Sequence, residues 1–311
     1  MEINEQLLPK FNLMAAINHD PLILAPQTTL EEAIALMSQS RGKSCLLPTQ
    51  ASNLEPLHMY RANSSCALIM EQEQLIGILT ERDIVKLTAA EIEFTTVTVA
   101  DVMTQPVLTL AQENFQDIFA ALFLFRRYKI RHLPIVDREQ KLIGVVSPET
   151  IRQATQPANL LKLRRVADVM SKYIIHAPTT TPVLDLTKIM ARHQVSCVVI
   201  TQTDHIDETI TPVGIITERD IMQFQCLQLN LSQIQAAEVM STPLFLLSPE
   251  DSLLTAYQSM AEKRVRRLVV SWNWGRSLGI ITQTSLFRIF DPMEMYSVIE
   301  TLQTTIKHLQ A

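Results

Sequence analysis

The sequence predicts an α/β (α+β) fold built from four β-α-β-β-α repeats that pair with one another, followed by a C-terminal helix. Three observations predict it. The octapeptide GILTERDI at 77–84 returns almost unchanged as GIITERDI at 214–221, with looser copies GVVSPETI at 144–151 and GIITQTSL at 279–286. Glycine is scarce, 6 in 311 residues, and Gly77, Gly144, Gly214 and Gly279 hold the same place in the four strings. A second marker keeps step with them: ADVMTQP from 100, ADVMSKY from 167 and AEVMSTP from 237. Self-similarity at a fixed period of about 65–70 residues defines the unit before any element is assigned.

Each unit then reads in the same order. After the marker comes a short apolar strand, followed by a helix whose apolar residues step by i, i+3, i+4, i+7. Examples are Leu30, Ala33, Ile34 and Met37, then Phe115, Ile118, Phe119 and Leu122, then Leu253, Ala256, Tyr257 and Met260. Val183, Leu186 and Met190 keep the stripe less fully in the third unit. Thr181-Pro182 and Ser248-Pro249 predict helix starts, each with an N-cap hydroxyl and proline at the first helical position. Two apolar strands joined by a polar turn follow, as in CALIMEQEQLIGIL and HLPIVDREQKLIGVV, and a second helix follows the TERD-type string. One sheet with two helices leaves a sheet face uncovered, so the units are expected to pair.

The boundaries follow. Repeat 1 spans 11–92, with its marker place at Met14 and an insertion at about 41–63. Repeats 2, 3 and 4 span 97–156, 164–228 and 234–290, and 291–311 forms a coiled-coil-like helix. In that last segment Asp291, Pro292 and Glu294 mark a helix start, and Met295, Ile299, Leu302, Ile306 and Leu309 step by 4, 3, 4 and 3.

Composition narrows the class. With 47% hydrophobic residues the chain can build dry cores, and no apolar run approaches the roughly 18 residues of a membrane helix. MEINEQLLPK has no apolar signal core, so the protein is expected to be soluble, unprocessed and cytoplasmic, without a membrane partner. A net charge of −5 without runs of like charge argues against a nucleic-acid partner. Cys45, Cys66, Cys197 and Cys226 lack CxxC spacing and the seven histidines lack HxH or HxxxH spacing, so no metal site is expected. The phosphate loops, nucleophile elbows and HExxH motifs of enzymes are absent, and no catalytic residue is assigned.

The DVM marker, the β-α-β-β-α order and the ending G-h-h-T-x-x-D resemble the cystathionine-β-synthase (CBS) domain, in four tandem copies covering nearly the whole chain. The resemblance implies that copies one and two form one pseudo-twofold Bateman module and copies three and four another, with an adenine nucleotide (AMP, ADP or ATP) bound between paired copies. No obligatory cofactor is implied. Thr80 and Thr217 would contact phosphate, and Asp83 and Asp220 would accept hydrogen bonds from the ribose hydroxyls. Taken alone, each Thr-x-x-Asp also fits a helix capping box. Copies two and four carry Thr150 and Ser285 in place of the acid, so one competent ribose site per module is expected. Arg131, His132, Arg266 and Arg267 would reach across the cleft to phosphate, beside Ser196. Ile23 and Ile175 would neighbour the adenine. The implied function is regulatory ligand sensing, read out by a histidine-kinase-type or other signalling partner or an attached output domain, in a homodimer paired through 291–311. The alternative is an architectural or dimerisation module that holds no ligand.

Overall fold

A computed structural model describes residues 13–39, 65–115, 118–154, 161–162, 164–203, 210–273 and 276–290. The expected insertion at 41–63, the C-terminal helix at 291–311 and Cys45 lie outside these residues. The chain opens with a 3-10 turn, Leu13–Ala16, and β1, Ile17–Asn18. Repeat 1 continues with β2 (Leu22–Leu24), α1 (Leu30–Gln39), β3 (Cys66–Glu71), β4 (Gln74–Thr80) and α2 (Glu81–Ala89). Repeat 2 has β5 (Leu110–Ala111), α3 (Ile118–Tyr128), β6 (Leu133–Val136), β7 (Leu142–Val146) and α4 (Pro148–Ala154). Repeat 3 has β8 (His176–Pro178), α5 (Val183–His193), β9 (Cys197–Thr203), β10 (Ile210–Thr217) and α6 (Glu218–Cys226). Repeat 4 has β11 (Leu246–Leu247), α7 (Leu253–Glu262), β12 (Arg267–Trp272), β13 (Ser277–Thr282) and α8 (Gln283–Leu286). The mixed α/β order expected from the sequence is therefore the one observed in all four copies.

Strand alternation divides each sheet between two cores. In repeat 1, Ala67, Ile69 and Leu79 pack with Leu30, Ala33, Ile34 and Met37 of α1. The intervening Cys66, Leu68 and Ile78 turn to the other face and meet Val145 of repeat 2. A period of two on a two-faced sheet requires that split, and the second face is the one the lone unit could not cover.

The marker segments lock each pair. Thr104 exchanges backbone hydrogen bonds with Ile78 (2.9 and 3.2 Å), Ser171 with Ile280 (2.9 and 2.9 Å) and Ser241 with Ile215 (2.9 and 3.2 Å). β1 does the same on β7, with Asn18 opposite Val145. Repeat 1 thus pairs with repeat 2 and repeat 3 with repeat 4. The same register corrects the marker of repeat 1: Ile17, not Met14, takes the place that Met103, Met170 and Met240 occupy in the other three. The reason is the glycine opposite. A Cβ on Gly77 would lie 2.1 Å from Sδ of Met103, and one on Gly214 would lie 2.3 Å from Sδ of Met240. At Gly144 the neighbours are the Asn18 carbonyl oxygen at 2.3 Å and Cγ2 of Ile17 at 2.7 Å. The glycine opens a slot for one apolar side chain of the paired repeat, and isoleucine fills it as methionine does.

Two helix starts also differ from expectation. Pro182 is the N-cap of α5, and α7 begins at Leu253 behind Ser252, whose hydroxyl accepts from Thr255 N at 3.0 Å. The carbonyls of Pro249 and Asp251 are taken by Ala167 N (2.9 Å) and Val166 N (2.8 Å) of the repeat 3 marker turn. Residues 248–251 are thereby held as a docking turn rather than a first helical turn.

The two modules join through their helices. Val85 of α2 lies in the core of repeat 3, Met222 of α6 lies in the core of repeat 1, and repeats 2 and 4 share one core. Thr88 and Gln225, equivalent positions 137 residues apart, hydrogen-bond to each other at 3.3 Å. A residue that meets its own equivalent marks a pseudo-twofold axis between the modules, as in an isologous dimer interface.

Candidate functional site

Each TERD string ends a strand and begins a helix, with Thr80 and Thr217 in extended N-cap geometry. Thr80 donates to Oδ2 of Asp83 from its backbone N (3.0 Å) and from Oγ1 (2.7 Å). Thr217 does the same to Oδ2 of Asp220 at 2.8 and 2.8 Å. Repeats 2 and 4 cap their helices without an acid: Ser147 N donates to Oγ1 of Thr150 at 2.9 Å, and Ser285 N donates to Oγ1 of Thr282 at 3.1 Å. The cap therefore needs only a hydroxyl at N3. The carboxylates of Asp83 and Asp220 exceed what capping requires, and among the described residues no hydrogen bond falls on Oδ1 of Asp220.

Between these helix starts lies a network that the sequence reading did not contain. Glu81 and Glu218, the first residues of α2 and α6, keep only 4% and 1% of their side-chain surface. Glu218 receives Arg131 at 2.5 Å, Arg82 at 3.3 Å and Arg267 at 3.7 Å. Glu81 receives Arg266 at 3.5 Å and Arg219 at 3.8 Å, and Arg266 also bonds Glu149 at 2.7 Å. The pattern obeys the pseudo-twofold axis: Arg82 to Glu218 mirrors Arg219 to Glu81, and Arg131 to Glu218 mirrors Arg266 to Glu81. Arg131 and Arg266, expected to reach across the cleft inside their own module, pair with the first helical glutamate of the opposite module, and Arg131 also interacts with Glu81 and Asp83 of its own. Their carboxylate partners were legible in one respect only, since Glu-Arg is identical in both copies of TERD.

Burial tunes these groups. Desolvation would lower Arg131, but Glu218, with Glu81 and Asp83 behind it, more than offsets this and holds the guanidinium above its ordinary value. Asp220 is pushed up by burial, with the two bonds from Thr217 and the charges of Arg267 and Arg219 acting in the other direction. Burial also raises the Cys197 thiol, so that residue is an inert core thiol.

The remaining expected residues divide. His132 Nε2 lies 2.6 Å from the Ser65 hydroxyl, and at the equivalent place Arg267 donates from Nε to Ser196 at 2.9 Å. Ile23 is exposed on β2, opposite Leu68. Ile175 packs against the repeat 3 core, and His176, opposite Val199, holds the place equivalent to Ile23. His176 lines a cavity of about 230 Å³ with Lys172, Tyr173, Ile174, Ile210, Arg276 and Leu278. Ile210 brings the start of β10 to that cavity, and His176 lies level with Val199 and Ile215 in the sheet. Among the described residues no cluster of His, Cys, Asp and Glu could hold a metal ion, and no helix is long and apolar enough to cross a membrane.

Comparison with known proteins adds the following. A family model described as CBS domain matches residues 99–156, 166–226 and 236–291. The crystal structure of MJ1225 from Methanocaldococcus jannaschii superposes with a TM-score of 0.69 at 19% identity, covering 89% of this chain and 99% of that one. An uncharacterized conserved protein from Pyrococcus horikoshii gives 0.51 at 17% identity, covering 73% and 92%. These likenesses establish the fold. An inosine-5′-monophosphate dehydrogenase from Halalkalibacterium halodurans is 23% identical over 223 residues, 71% of this chain and 43% of that protein. The chain spans about half the length of the curated relatives it matches.

Proposed function

Because the chain belongs to the CBS-domain family, we propose that it is a regulatory protein that binds an adenosyl ligand between paired repeats, with Asp83 and Asp220 holding the ribose. One observation carries this reading: repeats 1 and 3 keep a half-buried carboxylate that their helix caps do not need, while repeats 2 and 4 cap with hydroxyls alone. A carboxylate oxygen left open at a helix start can accept both vicinal hydroxyls of a ribose, and Arg267 and Ser196 stand beside it in the third repeat. Ligand binding at the helix starts of α2 and α6 then alters how the network joining the modules is packed, and a partner or output domain reads the change in module packing. Residues 291–311 pair two chains in this scheme, in the cytoplasm. The reading is regulatory rather than catalytic; the residues shared with the dehydrogenase are under half of that enzyme.

The test is calorimetric titration with adenosine and its phosphates against the wild-type chain and Asp83→Ala and Asp220→Ala. Each substitution is expected to remove one site. Binding that survives both rules out the ribose assignment. A second reading, in which the chain is a scaffold without ligand, is favoured by the ion pairs that already occupy the arginines; failure of every adenosyl compound to raise the melting temperature selects it.

A further inference from the structure

We infer that Glu81 and Glu218 set the ligand class: the sites select an adenosyl compound with an uncharged 5′ substituent over nucleotides carrying phosphate. This rests on the ribose reading of Asp83 and Asp220 and deepens it.

Five arginines, Arg82, Arg131, Arg219, Arg266 and Arg267, meet at the helix starts, and each is bonded to a glutamate there. Five carboxylates face them: Glu81, Glu149 and Glu218 directly, and Asp83 and Asp220 at the same helix starts. Among the described residues these five positive and five negative groups balance before any ligand arrives. Lys86 adds a cation at 3.4 Å from Asp83, but from the solvent side, where water screens it.

In the ribose reading, with Thr217 at the phosphate end, the 5′ carbon of a sugar held by Asp220 lies toward the same helix start, two residues from Glu218. An uncharged substituent adds nothing to the balance. A phosphate adds between one and two negative charges beside a carboxylate that keeps 1% of its surface. A phosphate there competes with Glu218 for the guanidiniums, and any shift of them away from Glu218 leaves an ionised carboxylate out of reach of water. The threonine that could meet the phosphate is also engaged, since Thr217 Oγ1 donates to Asp220.

A second observation is independent of these distances. The first helical residue is Glu81 or Glu218 where the ribose acid is kept, but Pro148 or Gln283 where Thr150 or Ser285 replaces it. The selecting carboxylate and the ribose carboxylate occur together and are absent together.

Adenosine, AMP and ATP differ only at the 5′ position, so titrating the full chain with each is the experiment. Adenosine is expected to bind at least tenfold more tightly than AMP, with ATP weaker again, and Asp220→Asn to weaken adenosine. In Glu81→Gln/Glu218→Gln, the ratio of AMP to adenosine affinity is expected to rise at least tenfold, whatever the variant does to both affinities together. If that variant does not fold, the wild-type order decides alone. AMP binding as tightly as adenosine in the wild type overturns the inference and leaves the ribose site standing. Absence of binding by all three overturns both.

Discussion

Replacing Glu218 with alanine strips the partner from three guanidiniums at once. Arg267 keeps 9% of its side-chain surface and cannot recover hydration, while Arg131 at 24% and Arg82 at 31% can do so in part. Breaking a buried ion pair by removing one partner costs about 3–5 kcal/mol, and partial rehydration of two of the three arginines places this case near about 3. With an unfolding entropy of about 2.1 cal/mol/K per residue, that lowers the melting temperature of a chain this size by about 5 °C. Because Glu218 belongs to repeat 3 and Arg82 and Arg131 to repeats 1 and 2, the loss falls on the joint between modules. Scanning calorimetry should therefore show a lower and broader transition, with the two modules beginning to melt apart. The comparison is Glu113→Ala, which removes a pair with Arg138 whose side chains are 52% and 85% exposed and which should change stability by less than about 1 kcal/mol. If the two substitutions shift the transition equally, the buried network is not what joins the modules.

Two further expectations follow from the geometry. Gly144→Ala puts a methyl 2.3 Å from a backbone carbonyl that cannot swing away, whereas in Gly77→Ala the nearest atom is the flexible end of Met103. Urea denaturation should show the first losing about 2–3 kcal/mol and the second about 1–2; the reverse order would remove the slot argument. Asp220 is raised by burial, so the folded state holds its proton more firmly than the unfolded chain and the carboxylate costs stability as pH rises through the folded value. Asp220→Asn should accordingly match the wild type below pH ~3.8 and melt higher than it at neutral pH without ligand, while losing the contact proposed for a ribose. A variant less stable than the wild type at neutral pH would contradict that sign.

What could be read from the sequence was local or periodic. Gly77, Gly144, Gly214 and Gly279 stood in register because each faces the same slot, and the stripe Leu30, Ala33, Ile34, Met37 lay on one helix face because the helix period forces it there. The loss of the acid at Thr150 and Ser285 was equally plain, since it is a change of residue type at a fixed place in a repeat. The marker of repeat 1 was misplaced by three residues because Met14 matched by type, while the slot selects by shape and takes Ile17. Ile175 was expected on the first strand of repeat 3, whereas β8 begins at His176, because strand register sets which residues the sheet takes up.

The charge network could not be read at all. Arg131 and Glu218 are 87 residues apart, and Arg266 and Glu81 are 185 apart. No period links them; they meet only because α2 and α6 dock across an axis that relates one module to the other. Sequence alone determined the repeats and where Asp83 and Asp220 stand in them, because hydrophobic period and turn chemistry act over a few residues. Tertiary structure alone decided what neutralises the arginines, because a charge is paired by whatever the packing of distant helices brings within reach.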